Sequence, residues 1–282
     1  LDHGNKITDN GWGGVRIRGT GAQFNTVKDN VIGVIEAGTI TLANRGPGLV
    51  VVDSPANVIG GSQGEGNTIA FNQGHGISVT TADAVGVNLR YNSIYENDGI
   101  GIDLGTDGVT PPDPNDADTG PNHLMNQPLI LWAESCGGSA WVSGVRDSGS
   151  GFFVHDVYAG GSCDPTGWGE GLEHHAVFAT THQTSGRYRF SAETSGLRLG
   201  TRITAMTTDF LASSSEFSNC IELTSGRAGD TTADCVFAAD DLSGVIRVAD
   251  DPGHLTPGNP DVDGDGDVDA DDLQLDVVRV FF

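Results

Sequence analysis

Short apolar stretches punctuated by asparagine and glycine fill the first hundred residues. The segments GNKITDN (from Gly4), FNTVKDN (from Phe24), GNTIAFN (from Gly66) and YNSIYEN (from Tyr91) align with one another. Each places Asn at both ends of a short window, giving the pairs Asn5/Asn10, Asn25/Asn30, Asn67/Asn72 and Asn92/Asn97, with Ile7, Val27, Ile69 and Ile94 between them. Beyond the window a glycine opens an alternating run: Gly14 (GVRI), Gly76 (GISV) and Gly101 (GIDL). The second copy is interrupted by residues 33–47 before Gly48 (GLVVV). Neighbouring copies start 20 or 25 residues apart, the period of a stacked repeat. The pattern predicts short parallel strands with Ile and Val turned into a thin core. Asparagine suits the corners, since it tolerates left-handed backbone and its amide can bond to the same Asn one repeat away.

From Leu129 the pattern becomes longer alternation with turn signals between runs. The runs are LILWA (Leu129), AWVSGV (Ala140), FFVHDVYA (Phe152), HHAVFATT (His174), GRYRFSA (Gly186), TRITAMTTD (Thr201) and EFSNCIEL (Glu216). Strands of that number and spacing predict an immunoglobulin-like or fibronectin-like β-sandwich.

The repeats, the recurring NVIG phrase at Asn30 and Asn57, and the exit segment Asn92 to Ile130 resemble right-handed parallel β-helix repeat proteins of bacterial secreted and surface type. The Cys163-Asp-Pro-Thr-Gly-Trp-Gly-Glu-Gly loop and TTDFLASSSEFS (Thr207 to Ser218) resemble the domain that follows the β-helix in that family. The resemblance implies a mainly β chain: a right-handed parallel β-helix with an Asp/Pro-rich exit cap over 1–128, an Ig-like sandwich over 129–224, and a small α-helical module over 225–282. The start at Leu1 inside a repeat reads as the C-terminal part of a longer exported protein.

Charge narrows the partners. The chain has 38 acidic against 14 basic residues, a formal charge of −24. Such a field repels nucleic acid and anionic membranes and suits divalent cations. No apolar run is long enough to span a bilayer. Four cysteines (Cys136, Cys163, Cys220, Cys235) with no CxxC favour disulfides. Of the three possible pairings, Cys136–Cys163 with Cys220–Cys235 is the expectation.

The acidic tail carries the sharpest motif. Asp261 to Asp272 reads DVDGDGDVDADD, with Asp261, Asp263, Asp265, Asp269 and Asp272 at positions 1, 3, 5, 9 and 12 of a calcium loop. Gly266 stands at the turn, Asp267 offers its carbonyl, and the apolar Val268 follows. These carboxylates repel one another without a cation, so calcium is the expected cofactor. A degenerate copy starts at Asp230, with Thr232, Asp234 and Asp241 as weak ligands and Cys235 in place of the turn glycine. ADDLSGVIRV (Ala239) echoes ADDLQLDVVRV (Ala270). The pair resembles a type I dockerin, which implies a cohesin-like protein partner. Ala270 and Asp271 stand where that family carries a Ser/Thr pair, so docking onto the same chain is the alternative.

Two further features bear on chemistry. Gly74-His75-Gly76 matches a polygalacturonase signature, but the repeat places Gly99-Ile100-Gly101 at the same point one copy later. No catalytic residue is therefore assigned. The exit aspartates Asp103, Asp107, Asp113, Asp116 and Asp118 read as a turn-rich cap before they read as a metal site. Among the tryptophans, Trp132 and Trp141 read as core and Trp168, in a Gly-rich loop, as a candidate for stacking on a ligand. His155, His174, His175 and His182 read as solvent-facing. The expectation is an extracellular or cell-surface protein without catalytic function, attached through a calcium-dependent tail and associated with polysaccharide. The alternative is the C-terminal part of a polysaccharide lyase or glycoside hydrolase.

Overall fold

The computed structural model describes residues 4–36, 40–236, 238–250, 256, 260–262 and 268–274. The fold is mainly β. Contacts divide the chain into two units, one of residues 1–131, 143–192 and 201–222, the other of residues 132–142, 193–200 and 223–282. The strands Leu129–Cys136, Ser139–Ser148 and Gly186–Ser195 contribute residues to both.

In the first unit the repeat pattern becomes parallel pairing. Lys6–Ile7, Val31–Ile32, Thr68–Ala70 and Ser93–Tyr95 lie side by side in one four-stranded sheet. Val15–Arg18, Leu49–Val52, Ile77–Thr80 and Ile102–Leu104 make a second. The register lines up like with like. Ile7, Ile32, Ile69 and Ile94 form one row. Val15, Leu49, Ile77 and Ile102 form another, and Ile17, Val51, Val79 and Leu104 a third. All of these belong to or pack against a single apolar cluster. Burying each such side chain contributes about 1.5–3 kcal/mol, which fixes the register, since a slip by one residue would turn Arg16, Ser78 and Asp103 inward.

The asparagines form two ladders. Asn5 donates to Asn30 (3.0 Å), Asn30 to Asn67 (3.0 Å) and Asn67 to Asn92 (2.9 Å) through Nδ2–H···Oδ1 bonds. Asn10 donates to Asn44 (2.8 Å), Asn44 to Asn72 (2.8 Å) and Asn72 to Asn97 (2.9 Å). Asn44 is the member that the interrupted copy hides in sequence. The left-handed residue is the one before the asparagine: Asp9, Phe24, Asp29, Ala56, Phe71, Tyr91 and Glu96 all have φ between 53° and 67°. The expectation that Asn itself takes that conformation is corrected. The turn must point the amide along the stack, and the preceding residue bears the strain.

An antiparallel sheet in the same unit runs in the order Glu173–His182, Gly151–Ala159, Arg202–Asp209, Ile221–Glu222. Glu170 and Glu216 also close the end of the stack. Glu170 accepts from the Glu96 and Asn97 amides (2.6 and 3.1 Å), and Glu216 from those of Leu104 and Thr110 (both 2.9 Å). Arg90, Asp156 and His174 form a buried network, with Arg90 Nε 2.5 Å and His174 Nε2 2.7 Å from the Asp156 carboxylate. His155 is 2% exposed. It sits between Thr207 and Thr180 hydroxyls, each 2.9 Å from a ring nitrogen, and burial pushes its pKa down to about 3. His155 and His174 are thus packed groups; alternation along their strands carries them inward.

The disulfides are Cys136–Cys235 and Cys163–Cys220, separated by 99 and 57 residues. The expected short-range pairing is corrected. Long-range strand contacts decide it: Cys220 N donates to Gly167 O (3.1 Å) beside the Trp168–Asn219 bridge, which brings Cys220 to Cys163. Cys235 has φ +70°, so it takes the conformation of the glycine it replaces while its sulfur bonds to Cys136. Two disulfides mark an oxidising compartment. Removing Cys163–Cys220 by a double serine substitution should cost about 3 kcal/mol, because it releases a long loop in the unfolded chain; denaturant unfolding with and without reductant checks this.

In the second unit, Glu134 pairs with Thr224, Glu134 Oε1 accepts from Ala228 N (2.9 Å), and the Arg227 guanidinium lies 4.3 Å over Trp141. The described helices of the chain are a 3-10 turn, Pro121–Leu124, the helix Ala239–Asp250, and one helical turn at 270–274. None of these is long and apolar enough to cross a membrane.

The family resemblance does not hold. A β-helix repeat protein continued by an Ig-like sandwich and a paired type I dockerin was the expectation. The described residues show a mostly β chain with parallel sheets, one full α-helix and a 3-10 turn, without two complete loop–helix units. The physical reason is that a period of Asn and Ile/Val specifies strand pairing and amide stacking, which many unrelated chains can share.

Candidate functional site

The outer face of the second parallel sheet carries a row that the apolar core does not use. Arg16, Val50, Ser78 and Asp103 are consecutive register partners on neighbouring strands. With strands about 4.8 Å apart, Arg16 and Asp103 lie roughly 14 Å from each other along this row. Val50, Ser78 and Asp103 are the floor of a groove, exposed by only 5%, 4% and 1%. Trp12, Pro47, His75 and Thr106 line it as well, and Thr80 and Val52 extend it. The cavity is about 340 Å³, within the range of small-ligand sites.

Its two ends differ in charge. At one end the Arg16 guanidinium lies 5.0 Å over the Trp12 ring, and Trp12 is 51% exposed. At the other end Asp103 Oδ2 is 3.4 Å from His75 Nε2. Asp103 Oδ1 and His75 Nδ1 are both buried without a hydrogen-bond partner. Burial raises the Asp103 pKa, while the neighbouring His75 and the Gly108 amide act the other way. His75 rests on the next repeat: Gly99 N donates to Gly74 O (3.1 Å), and a Cβ at Gly99 would come within 2.5 Å of His75 Nδ1. The glycine is there because the imidazole fills the space.

A second cleft of about 500 Å³ opens on the far side of His75, lined among others by Asp98, Asp107, Asp164 and Trp168. Trp168 lines this cleft. Trp132 donates to Val262 O (3.4 Å), and Trp141 lies beneath Arg227. Trp12 was not singled out in the sequence; a tryptophan flanked by Gly11, Gly13 and Gly14 was the available signal.

The calcium candidates are only partly described. Asp263, Asp265 and Asp267 lie outside the described residues. Asp272 accepts from Val262 N (2.5 Å) and Asp269 N (2.7 Å), and Asp269 from Asp271 N (2.7 Å). Asp269 and Asp272 therefore act as a reciprocal cap for the helical turn that follows. Asp261 is partly exposed beside them. In the upstream copy, Asp241 repeats the contact, accepting from Ala238 N (2.8 Å) and Thr232 N (3.0 Å). Asp230 accepts from Asp234 N (3.2 Å) and Cys235 N (2.8 Å), and Asp234 from Val236 N (2.9 Å). Both oxygens of Asp230 and of Asp241 thus accept from backbone donors, as do both oxygens of Asp272 in the downstream copy. Among the exit aspartates, Asp113, Asp116 and Asp118 converge, but Asp116 already pairs with Arg146 (2.6 Å) and accepts from Asn126 N (2.8 Å).

No family model matches the chain. Among solved structures, the sensor domain of the anti-sigma factor RsgI4 of Pseudobacteroides cellulosolvens is similar over 36% of this chain and 95% of that one, at 16% identity and a TM-score of 0.23.

Proposed function

We propose that this is an exported, non-catalytic protein of the cell surface or extracellular matrix that holds polysaccharide in the Trp12–Asp103 groove. The observation that carries this reading is Asp103: a carboxylate buried on a groove floor with one oxygen unpartnered, in a groove whose other end is lined by an exposed tryptophan. An unpartnered buried acceptor costs about 1–3 kcal/mol, and a sugar hydroxyl donating to it relieves that cost. Ser78, Thr80 and Thr106 add hydroxyls, and Trp12 offers a flat apolar surface for a pyranose ring. Calorimetry with soluble oligosaccharides tests the reading; Trp12→Ala should weaken binding about tenfold, in the range expected of a stacking aromatic.

The acidic tail is the second part of the proposal. Asp261, Asp263, Asp265, Asp267, Asp269 and Asp272 hold one calcium ion, whose charge offsets carboxylates that otherwise repel, and the ordered tail is the attachment element for a protein partner. Calcium titration of the whole chain should count one site, not two, since the upstream copy has Thr232, Cys235 and Ala238 where the downstream copy has Asp263, Gly266 and Asp269. Two equal sites, or no heat at all, would contradict this.

One observation favours a second reading, a β-rich polysaccharide lyase or hydrolase: the His75–Asp103 pair faces the same groove. Turnover of a polysaccharide that is lost in His75→Ala would establish it, and equal turnover by both proteins removes it.

A further inference from the structure

We infer that the groove selects an acidic saccharide, whose carboxylate or sulfate group sits at Arg16 and whose neighbouring hydroxyls reach Asp103 and His75. The inference rests on the glycan reading above and adds the charge class of the ligand.

Arg16 lines the groove without a carboxylate partner among the described residues. With 38 acids for 14 bases, a carboxylate partner is easy to supply, and other arginines have one: Arg90 with Asp156, Arg146 with Asp116, Arg202 with Glu222. Among the described residues no carboxylate lies within ion-pair distance of Arg16. The Trp12 ring holds it instead, an arrangement that fixes the guanidinium yet leaves its N–H donors open. Arg18, also exposed and without an ion-pair partner among the described residues, lies two positions further along the same strand and on the same face. The planar guanidinium matches a carboxylate or sulfate with two parallel hydrogen bonds.

The opposite end fixes the polarity. Asp103 would repel an anion, so an acidic group cannot occupy both ends. The Asp103 carboxylate on the groove floor accepts a hydroxyl, and the His75 side chain lines the same end. The roughly 14 Å between the two ends suits a short oligosaccharide laid across the strands, with Ser78 beneath its middle. The chain's overall negative charge repels such a ligand at long range, so the preference must come from these contacts.

The test is calorimetry on the full chain with three probes: an oligogalacturonate, a sulfated galactan oligosaccharide without carboxylates, and an uncharged xylo-oligosaccharide. At least one acidic probe is expected to bind about tenfold more tightly than the uncharged one. Arg16→Gln should abolish that preference, so that acidic and uncharged probes bind the variant alike, and Arg16→Lys should restore part of it. The two acidic probes decide between carboxylate and sulfate. Equal binding of all three probes, or a preference that survives Arg16→Gln, overturns the inference and leaves the glycan reading standing. If none of the probes binds, or if they bind with affinities that do not respond to Trp12→Ala, both fall.

Discussion

Glu216→Ala should destabilise the protein by about 3–5 kcal/mol, among the largest effects of any single substitution in the first unit. Glu216 is 2% exposed. Its Oε1 accepts from Leu104 N (2.9 Å) and the Thr110 hydroxyl (3.0 Å), and its Oε2 from Thr110 N (2.9 Å). Leu104 is in the last strand of the second parallel sheet, where no further strand supplies acceptors. Alanine would leave two buried amides without partners, each costing about 1–3 kcal/mol, and a small cavity besides. Glu170 does the same for Glu96 and Asn97. Burial pushes both carboxyls from 4.5 up to about 7, against the pull of their amide partners. The folded chain therefore holds protons between those pH values that the unfolded chain has released. That contribution to stability is complete below pH 4.5 and is lost as pH rises through about 7. Denaturant unfolding at pH 5 and pH 8 should differ by about 1–3 kcal/mol for each group, and Glu216→Gln should remove its share of the slope. A wild-type stability that rises over this interval would refute the assignment.

How much of this was legible in the sequence differs from residue to residue. Ile7, Ile69 and Ile94 were readable as core because a row of identical side chains is what parallel pairing in register produces. The Asn5 and Asn67 positions were readable for the same reason. Asn44 was not, because residues 33–47 displace it from the period. Glu170 and Glu216 escaped because an end-closing side chain is used once and has no period. The groove was half legible: Gly74-His75-Gly76 drew attention to His75, but its partner Asp103 comes from the next repeat and its neighbour Trp12 from two repeats before. The cysteines show the same limit, since their pairing follows contacts 57 and 99 residues apart. Local patterns set local structure; the site is made where separate copies meet.

The amide ladder gives the second large effect, and its size should depend on position. Asn72 is fully buried. Its Oδ1 accepts from Asn44 Nδ2 (2.8 Å), while its Nδ2 and its backbone N both donate to Asn97 Oδ1 (2.9 and 3.1 Å). Asn72→Ala removes the acceptor for one buried amide group and one donor to another, and should cost about 3–5 kcal/mol. Asn72→Asp is isosteric but replaces a donor by a charged acceptor facing Asn97 Oδ1 and the Ile32 and Ala70 carbonyls (both 3.3 Å). It should be worse at neutral pH and recover partly on acidification, when the carboxyl can donate again. Asn5, exposed at the first ladder position, makes its amide bond among the described residues to Asn30, so Asn5→Ala should cost no more than about 1 kcal/mol. Equal losses at positions 5 and 72 would mean that the ladder stabilises through local turn geometry at each corner and not through the continuous chain of amides along the stack.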